Sequence, residues 1–321
     1  MPTMKVVCYG SRGSIPAPST KRFSTIEYGG DTTCYYVEAG PFRIIFDFGS
    51  GGRTLGNDLM KRGEGFGKAF IVPLSHYHWD HIQGLPFMVP VFIGSNSFHF
   101  HGFPPSGHEH EGPKPLVEKM LEYQQSNPHF PVAHGALPSK RTYTDHARQF
   151  NESFWYVHDP VHDGCYVLWT FNPLGYVADL EPEDVIKFTT IPLNHPDGCL
   201  GYRVEYMGIV LVYASDNEPL RHANHRLLNL GSDADLFIID GQYTMEQLST
   251  LAQTFGHGSP KSCVEQARAC RAKRCIIHHH DPNNSDDTLA KMEAEAREYA
   301  VKLDYTAPVE FARTDMVWEL G

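Results

Sequence analysis

The stretch LSHYHWDH, residues 74–81, carries three histidines and an aspartate within six positions, in the pattern H-x-H-x-D-H. The residues before it, KAFIVPL at 68–74, are short and apolar and predict a buried strand. Gly84 and Pro86 follow, so no long helix can continue from the motif. A turn that leaves a strand can aim all four polar side chains into one small volume. Imidazole nitrogens and carboxylate oxygens are ligands of zinc and of harder divalent ions, and the motif therefore predicts a metal site.

One segment cannot fill two metal shells, so further ligands must come from other parts of the chain. Apolar runs at 185–193, 209–215 and 275–277 predict three strands, and a residue of a metal-ligand type follows each of them. These residues are His195, Asp216, and the cluster His278, His279, His280 and Asp281. Loops at strand ends can converge on one rim, which would bring these residues to the same site.

The order H-x-H-x-D-H, His, Asp, His resembles that of the metallo-β-lactamase-fold hydrolases, from residue 5 to residue 287. The resemblance implies an α/β fold, a four-layer αββα sandwich. It also implies that Asp47 orients the metal loop from behind the ligands. True β-lactamases of this fold usually lack the final histidine of the motif or carry a cysteine in the fourth one. Here those places hold His81 and Asp216.

The C-terminal part is similar to the ribonuclease Z-like branch of that family. It reads GHGS at 256–259, a helix-like stretch to residue 272, and RCIIHHHDP at 274–282. Related bacterial and phage enzymes that open cyclic nucleotides carry an H-H-D-P version of the last motif. This alignment makes His279 the ligand, although the register leaves its neighbours His278 and His280 open.

The resemblance implies two divalent ions as cofactors, with Zn²⁺ favoured and Mn or Fe as alternatives. In the family pattern His76, His78 and His195 hold one ion, Asp80, His81 and His279 hold the other, and Asp216 bridges them. Two ions about 3.5–4 Å apart bind a bridging hydroxide and clamp both oxygens of an in-line displacement. Asp80 would also orient or deprotonate this nucleophile, and His257 would donate a proton to the leaving alkoxide.

Length and composition fit one domain that spans residues 1–321, since 321 residues with 41% hydrophobic content can bury a full core. The net charge of −11 argues against a broad nucleic-acid surface, so we expect a small anionic substrate and no large nucleic acid. The seven cysteines form no C-x-x-C pair and are expected to be reduced packing residues. No apolar run has the length of a signal peptide or a membrane span, so a cytoplasmic protein without membrane contact is expected.

Residues 94–181 depart from a minimal hydrolase of this fold and are rich in histidine, proline and aromatic residues. We expect this insertion to form a lid or a dimer contact, because long insertions are usually functional or disordered. Enzymes that the chain resembles are commonly homodimers, so a C₂ homodimer is expected. Within the insertion, HEH at 108–110 is interpreted as a loop rather than a second metal site. The aromatic residues at 154–156 are interpreted as core.

The secondary-structure pattern predicts strands, one helix and the metal turn in residues 4–81, and a second group of strands from residue 185 to residue 240. Predicted helices span 53–62, 244–253, 260–272 and 286–303, and the last is preceded by Ser285 as its cap. A final strand is predicted at 310–320.

Three functions are compatible with these motifs. The first is a dinuclear phosphodiesterase that hydrolyses small nucleotides, above all 3′,5′-cyclic ones. The second is a tRNA 3′-end processing endonuclease, although residues 217–255 contain no long, basic Gly/Pro-rich arm of the kind such nucleases use to grip tRNA. The third is a hydrolase of esters, lactones or thioesters, which the same metal core supports in sister families.

Overall fold

The computed structural model describes residues 3–105, 107, 113–146, 151–159, 164–168, 180–219, 224–250, 252 and 254–321. In this part of the chain a first mixed sheet has seven strands in the order β15-β1-β2-β3-β4-β5-β6. Its strands are β1 (Met4–Gly10), β2 (Cys34–Ala39), β3 (Phe42–Phe46), β4 (Ala69–Pro73), β5 (Ser97–Gly102), β6 (Lys140–Asp145) and β15 (Val317–Leu320). The strand predicted before the metal motif is therefore confirmed as β4.

A second mixed sheet has eight strands among the described residues, in the order β14-β13-β12-β11-β10-β9-β7-β8. They are β7 (Glu152–Asp159), β8 (Gly164–Leu168), β9 (Val185–Leu193), β10 (Cys199–Tyr206), β11 (Ile209–Ala214), β12 (Leu236–Asp240), β13 (Cys275–His278) and β14 (Val309–Phe311). Strands β11 to β14 run parallel to one another, and β12 and β13 are buried at every position. Parallel strands that are covered on both faces need uninterrupted apolar runs, which these sequences supply.

The inner faces of both sheets pack on each other around one apolar core. Phe46 and Ile71 of the first sheet join Phe188, Tyr202 and Ile238 of the second sheet in this cluster. Two further buried clusters lie under helices, one against each sheet. The result is the predicted αββα sandwich, with the sheets inside and the helices outside.

The helices of the described residues are short, apart from the C-terminal one. They are α1 (Gly51–Lys61), α2 (Trp79–Ile82), α3 (Leu116–Gln124), α4 (His225–Gly231), α5 (Met245–Thr250), α6 (Pro260–Ala269) and α7 (Asp286–Lys302). Ser285 caps α7 as predicted, because its side chain accepts a hydrogen bond from the backbone N–H of Thr288. None of the described helices is long and apolar enough to cross a bilayer.

The prediction of a single final strand at 310–320 is wrong. The chain forms β14, which pairs with β13 in the second sheet, and then crosses to form β15, which pairs with β1 in the first sheet. Asp315 makes the turn between them in a left-handed conformation (φ 68°), and its N–H donates to the carbonyl of Cys8. A propensity pattern cannot reveal this crossing, since both halves are apolar and extended.

The described part of the insertion is built into the sandwich rather than set apart from it. Strands β5 and β6 extend the first sheet, β7 and β8 extend the second, and α3 lies between β5 and β6 in the chain. Phe154 and Tyr156 are fully buried, which confirms their interpretation as core, whereas Trp155 between them is only partly buried. The HEH segment at 108–110 lies outside the described residues. The side chains of the six cysteines that are described are buried, as predicted for packing residues.

Candidate metal centre

The ends of four strands place the candidate residues at one edge of the sandwich. The H-x-H-x-D-H motif follows β4 of the first sheet, with His78 at the N-terminus of α2 and Asp80 and His81 in its single turn. His195, Asp216 and His279 follow β9, β11 and β13 of the second sheet. Asp216 and His279 both adopt left-handed backbone angles (φ 33° and 62°), so the chain turns sharply where each strand ends. The gap between the two sheets is therefore lined by ligand-type side chains from both.

The first set of donors combines three histidines with one carboxylate oxygen. His78 Nδ1 lies 3.1 Å from His195 Nε2. Asp216 Oδ2 lies 3.5 Å from His76 Nε2 and 3.6 Å from His195 Nε2. Among the described residues, the buried Nε2 of His76 has no hydrogen-bond partner. Such an orphaned nitrogen, facing other lone pairs, fits a metal ligand, because buried polar atoms are normally paired.

The second set contains Asp80, His81, His279 and the other oxygen of Asp216. Asp80 Oδ2 lies 3.3 Å from His81 Nε2 and 3.0 Å from His279 Nε2. The two imidazole nitrogens are 3.2 Å apart, and each is 3.3 Å from Asp216 Oδ1. Ligands at about 2.0–2.1 Å from a tetrahedral zinc ion lie about 3.3 Å from one another. The spacing and the chemistry of these donors both fit a divalent ion of zinc size.

Asp216 belongs to both sets through different oxygens, Oδ2 in the first and Oδ1 in the second. Burial opposes its ionisation, but the adjacent His279, His81 and His76 hold the pKa of this carboxyl well below its usual range. Burial also lowers the pKa values of His76, His78 and His195, so all three imidazoles stay neutral. An ionised carboxylate beside the neutral imidazoles of the first set is the protonation state that metal binding requires. In the second set burial is outweighed by the carboxylates of Asp216, Asp80 and Asp47, which raise the pKa of His81 well above its usual value.

Asp47 holds the metal motif from behind, as the resemblance implies. One of its carboxylate oxygens accepts the backbone N–H of Ser75 at 2.7 Å. The other accepts from the Ser75 hydroxyl at 2.7 Å, the Tyr213 hydroxyl at 2.6 Å and His81 Nδ1 at 2.8 Å. This carboxylate accepts a hydrogen bond from the Nδ1–H of His81. The other ring nitrogen, Nε2, therefore faces the second set.

The N-terminal loop covers the second set from the other side. The N–H of Ser14 donates to Asp80 Oδ2 at 2.6 Å, and Gly13 packs on the ring of His279. Gln242 joins the two, since its amide N–H group donates to the Ser14 hydroxyl at 3.1 Å while its carbonyl oxygen lies 3.2 Å from His279 Nδ1. This amide fixes the ring so that His279 Nε2 points at the other donors.

The choice among the three consecutive histidines is decided by their environments. His279 alone of the three contributes to the second set. His278 points into the core between the sheets, where it is fully buried. His280 donates to the carbonyl of Ala312 at 2.9 Å and stacks on Phe311. The geometry therefore supports the alignment that makes His279 the ligand.

His257 lies next to both sets, at the end of the loop that leads into α6. Its Nδ1 is 2.9 Å from Asp240 Oδ2, and its ring centroid lies 5.1 Å from that of His195 and 4.9 Å from that of His279. Burial would lower its pKa, but Asp240, with Asp216 further away, raises the pKa of His257 to about 9. His257 also falls in a donor group with Asp216 and His279, so its position would suit either a proton donor or a further ligand.

Sequence reasoning did not single out Asp240, Gln242 or Ser14. Asp240 ends a predicted strand in the same way as Asp216 does, and that signal could have identified it. Nothing in the sequence indicates that Ser14 lies beside Asp80, because the two are brought together only by the packing of the N-terminal loop.

A cavity of about 260 Å³ opens beside the first set. It is lined by His76, Tyr77, His78, Phe103, Pro105, Met120, Asp197 and Gly198. The walls are mostly apolar, and His76 and His78 of the first set belong to them.

A family model described as a beta-lactamase superfamily domain matches residues 43–280, well over half of the chain. A ribonuclease Z from Picrophilus torridus is 23% identical over 319 residues, which cover 92% of this chain and 91% of that protein. The metallo-beta-lactamase fold protein YhfI from Bacillus subtilis has a TM-score of 0.63 and 17% identity, over 99% of this chain and 100% of its own.

Human tRNase Z, short form (ELAC1), has a TM-score of 0.58 and 18% identity, with 98% of both chains covered. These two structural likenesses show the fold, while the family model shows the family. The family predicted from the motifs is confirmed, and the ribonuclease Z relatives agree with the predicted branch. The chain therefore belongs to the beta-lactamase superfamily and is a metal-dependent hydrolase.

Proposed function

We propose that this protein is a phosphodiesterase that uses two divalent ions to hydrolyse small nucleotides, 3′,5′-cyclic mononucleotides first among them. The observation that carries this proposal is the position of Asp216, whose two oxygens each complete a separate set of donors. The proposed ligands are His76, His78, His195 and Asp216 for one ion, and Asp80, His81, His279 and Asp216 for the other. We propose Zn²⁺ for both, because imidazole and carboxylate donors at this spacing suit it.

Two ions so placed would supply an activated water and would neutralise the charge that develops on a phosphoryl group. Asp80 would orient that water, since its Oδ2 is held by the N–H of Ser14 and cannot rotate freely. His257 would protonate the leaving oxygen, because Asp240 holds its Nδ1 and leaves Nε2 to face the substrate. The hydrogen bond and the charge of Asp240 favour the protonated form of His257 by raising its pKa, as a general acid requires.

Small nucleotides are favoured by the size of the cavity and by the charge of the chain. A volume of about 260 Å³ lies below the roughly 300–1,000 Å³ of pockets that take drug-sized ligands. The net charge of −11 leaves little basic surface for a long polyanion.

RNA 3′-end processing is the second candidate, and a specific observation favours it. The curated relative described above is a ribonuclease Z that matches nearly its whole length. This finding conflicts with the expectation that no large nucleic acid is bound, so RNA must be tested as a substrate. A single 3′-terminal nucleotide could occupy the same cavity while the rest of the RNA lies outside it.

Elemental analysis and a substrate panel test the proposal together. We expect two ions per chain after saturation with Zn²⁺ or Mn²⁺. We also expect turnover of bis(4-nitrophenyl) phosphate and of at least one 3′,5′-cyclic mononucleotide, with weak dependence on salt. One ion or fewer per chain would contradict the assignment of the ligands. Salt-sensitive cleavage of a tRNA 3′ trailer, with no turnover of cyclic mononucleotides, would make the second candidate the function.

Asp80→Ala should abolish turnover, because it removes a ligand that also orients the nucleophile. Asp233→Ala is a suitable control, since that exposed carboxylate pairs with Arg271 and lies before β12, at the end of the strand opposite to Asp240.

We also propose the C₂ homodimer that the resemblance implies, with residues 94–181 as a lid or contact region. Light scattering at micromolar concentration tests it, and a fully active monomer would remove the idea.

A further inference from the structure

We propose that the cavity beside the first set binds a nucleobase and that Asp197 selects guanine there. This inference rests on the proposed phosphodiesterase function, since it places the base of a nucleotide whose phosphate lies at the two sets of donors. No motif of the sequence identified Asp197, and the inference follows from what surrounds the cavity.

The cavity is connected directly to the proposed ligands. His76 and His78 form part of its wall, so a group attached to a phosphoryl centre at these histidines would extend into it. Other parts of the wall come from Phe103 and Pro105, which follow β5, and from Met120 on α3. These three residues lie in the 94–181 insertion, which thereby acquires a role in substrate recognition.

The floor of the cavity is rigidly constructed. The hydroxyl of Tyr77 donates to the carbonyl of Phe103 at 2.9 Å and accepts its N–H at 3.0 Å, and the two rings lie 5.6 Å apart. Gly102 permits this approach, because a Cβ there would lie only 2.3 Å from the Tyr77 hydroxyl. With its hydroxyl satisfied by the backbone, Tyr77 offers its apolar ring to the cavity. Aromatic rings, proline and methionine are sequence-tolerant partners for the face of a base.

One acidic side chain stands at the rim of this apolar cavity. Asp197 adopts a left-handed conformation (φ 60°) in a tight turn that the N–H of Gly198 closes on the carbonyl of His195. It is exposed, and its negative charge acts on His78. A carboxylate in this place would repel a phosphate and attract a group that carries hydrogen-bond donors.

Guanine matches this requirement best among the bases. Its N1–H and N2–H₂ groups point in the same direction and can donate to both oxygens of one carboxylate, whereas adenine offers only the N6 amine. Paired hydrogen bonds of this kind discriminate between bases by about 10-fold or more. The apolar walls would hold the ring by its face while Asp197 reads its edge.

Calorimetric titration of the Zn²⁺-loaded protein with 5′-GMP, 5′-AMP and ribose 5-phosphate tests the site. All three ligands carry the same phosphate, so ribose 5-phosphate is the reference within each variant. We expect GMP to bind about 10-fold more tightly than AMP, and both nucleotides more tightly than ribose 5-phosphate. Asp197→Asn should remove the preference for GMP over AMP. Met120→Ala should weaken both nucleotides relative to ribose 5-phosphate.

Asp304→Asn is the matched control, because Asp304 is also an exposed aspartate with a left-handed backbone (φ 53°) but follows α7. It should keep the wild-type preference. Equal affinities for GMP, AMP and ribose 5-phosphate would overturn the base site. If phosphocholine bound more tightly than GMP and Asp197→Asn removed that binding, the base site would also be overturned, since the cavity would then recognise a cation. Turnover of bis(4-nitrophenyl) phosphate is measured in parallel, and its absence would refute the phosphodiesterase function without touching the titration result.

Discussion

Substitution of Gly13 by alanine should remove one of the two proposed ions and leave the other. A Cβ at this position would lie 2.3 Å from Cε1, 2.4 Å from Nδ1 and 2.9 Å from Nε2 of His279. Carbon atoms in contact prefer about 3.5–4.0 Å, so the ring would have to move by more than about 1 Å. Metal–ligand distances vary by only about 0.2 Å, and a shift of this size therefore breaks the second set.

The expected loss of affinity for the second ion is at least about 100-fold, which corresponds to about 2.7 kcal/mol. Competitive titration of the metal-free protein with Zn²⁺ and a chelator resolves the two binding steps. The first set takes no ligand from His279, so its step should keep wild-type affinity and show that the variant is folded. Gly135→Ala is the control, because no atom lies within 4 Å of the Cβ that it would add. Two ions bound to Gly13→Ala with wild-type affinities would refute the reasoning.

The remaining predictions concern single side chains around the site and one buried histidine that precedes β6. His257→Ala should slow hydrolysis of an alkyl phosphodiester by about 10²–10⁴-fold but spare 4-nitrophenyl esters, whose leaving group needs no proton; equal effects on both would exclude the donor role. Gln242→Met should lower the affinity for the second ion by about 10–100-fold in the same titration, because the ring of His279 loses its Nδ1 partner. Burial, with help from Arg141, lowers the pKa of His134 to about 4, against about 6.5 in the unfolded chain. As the pH is lowered, the unfolded chain therefore binds a proton at this histidine before the folded protein does. The contribution of His134 to the free energy of unfolding decreases by about 2 kcal/mol from pH 7 to pH 5. In urea unfolding, the free energy of unfolding of His134→Gln should decrease less between pH 7 and pH 5 than that of the wild type. Equal decreases in both proteins would contradict the role given to His134.

The residues of the two donor sets were predictable because they follow a local rule. The H-x-H-x-D-H motif is contiguous, and the other members of the sets stand shortly after apolar runs that the structure confirms as strands. The same rule would have found Asp240. The left-handed turn that singles out His279 from its two neighbours is a matter of backbone geometry, which spacing alone left open.

Contacts between distant segments were not predictable in this way. Ser14 meets Asp80, and Phe103 meets Tyr77, only because the loops pack on one another after folding. The crossing of the chain from β14 in the second sheet to β15 in the first was not predicted for the same reason, since apolar character does not indicate which sheet a strand joins. Residues with metal-ligand chemistry can therefore be recognised in a sequence more readily than the contacts that determine which substrate fits.

The origin of the donors in both sheets has a mechanical consequence. Each set takes residues from the turn after β4 and from loops of the second sheet, so each ion would cross-link the two sheets. His78 and His195, or His81 and His279, are far apart in the chain, and a link between them removes much of the freedom of the unfolded state. Chelation should thus loosen the whole sandwich at its catalytic edge, and metal supply would govern how long the protein persists as well as how fast it works.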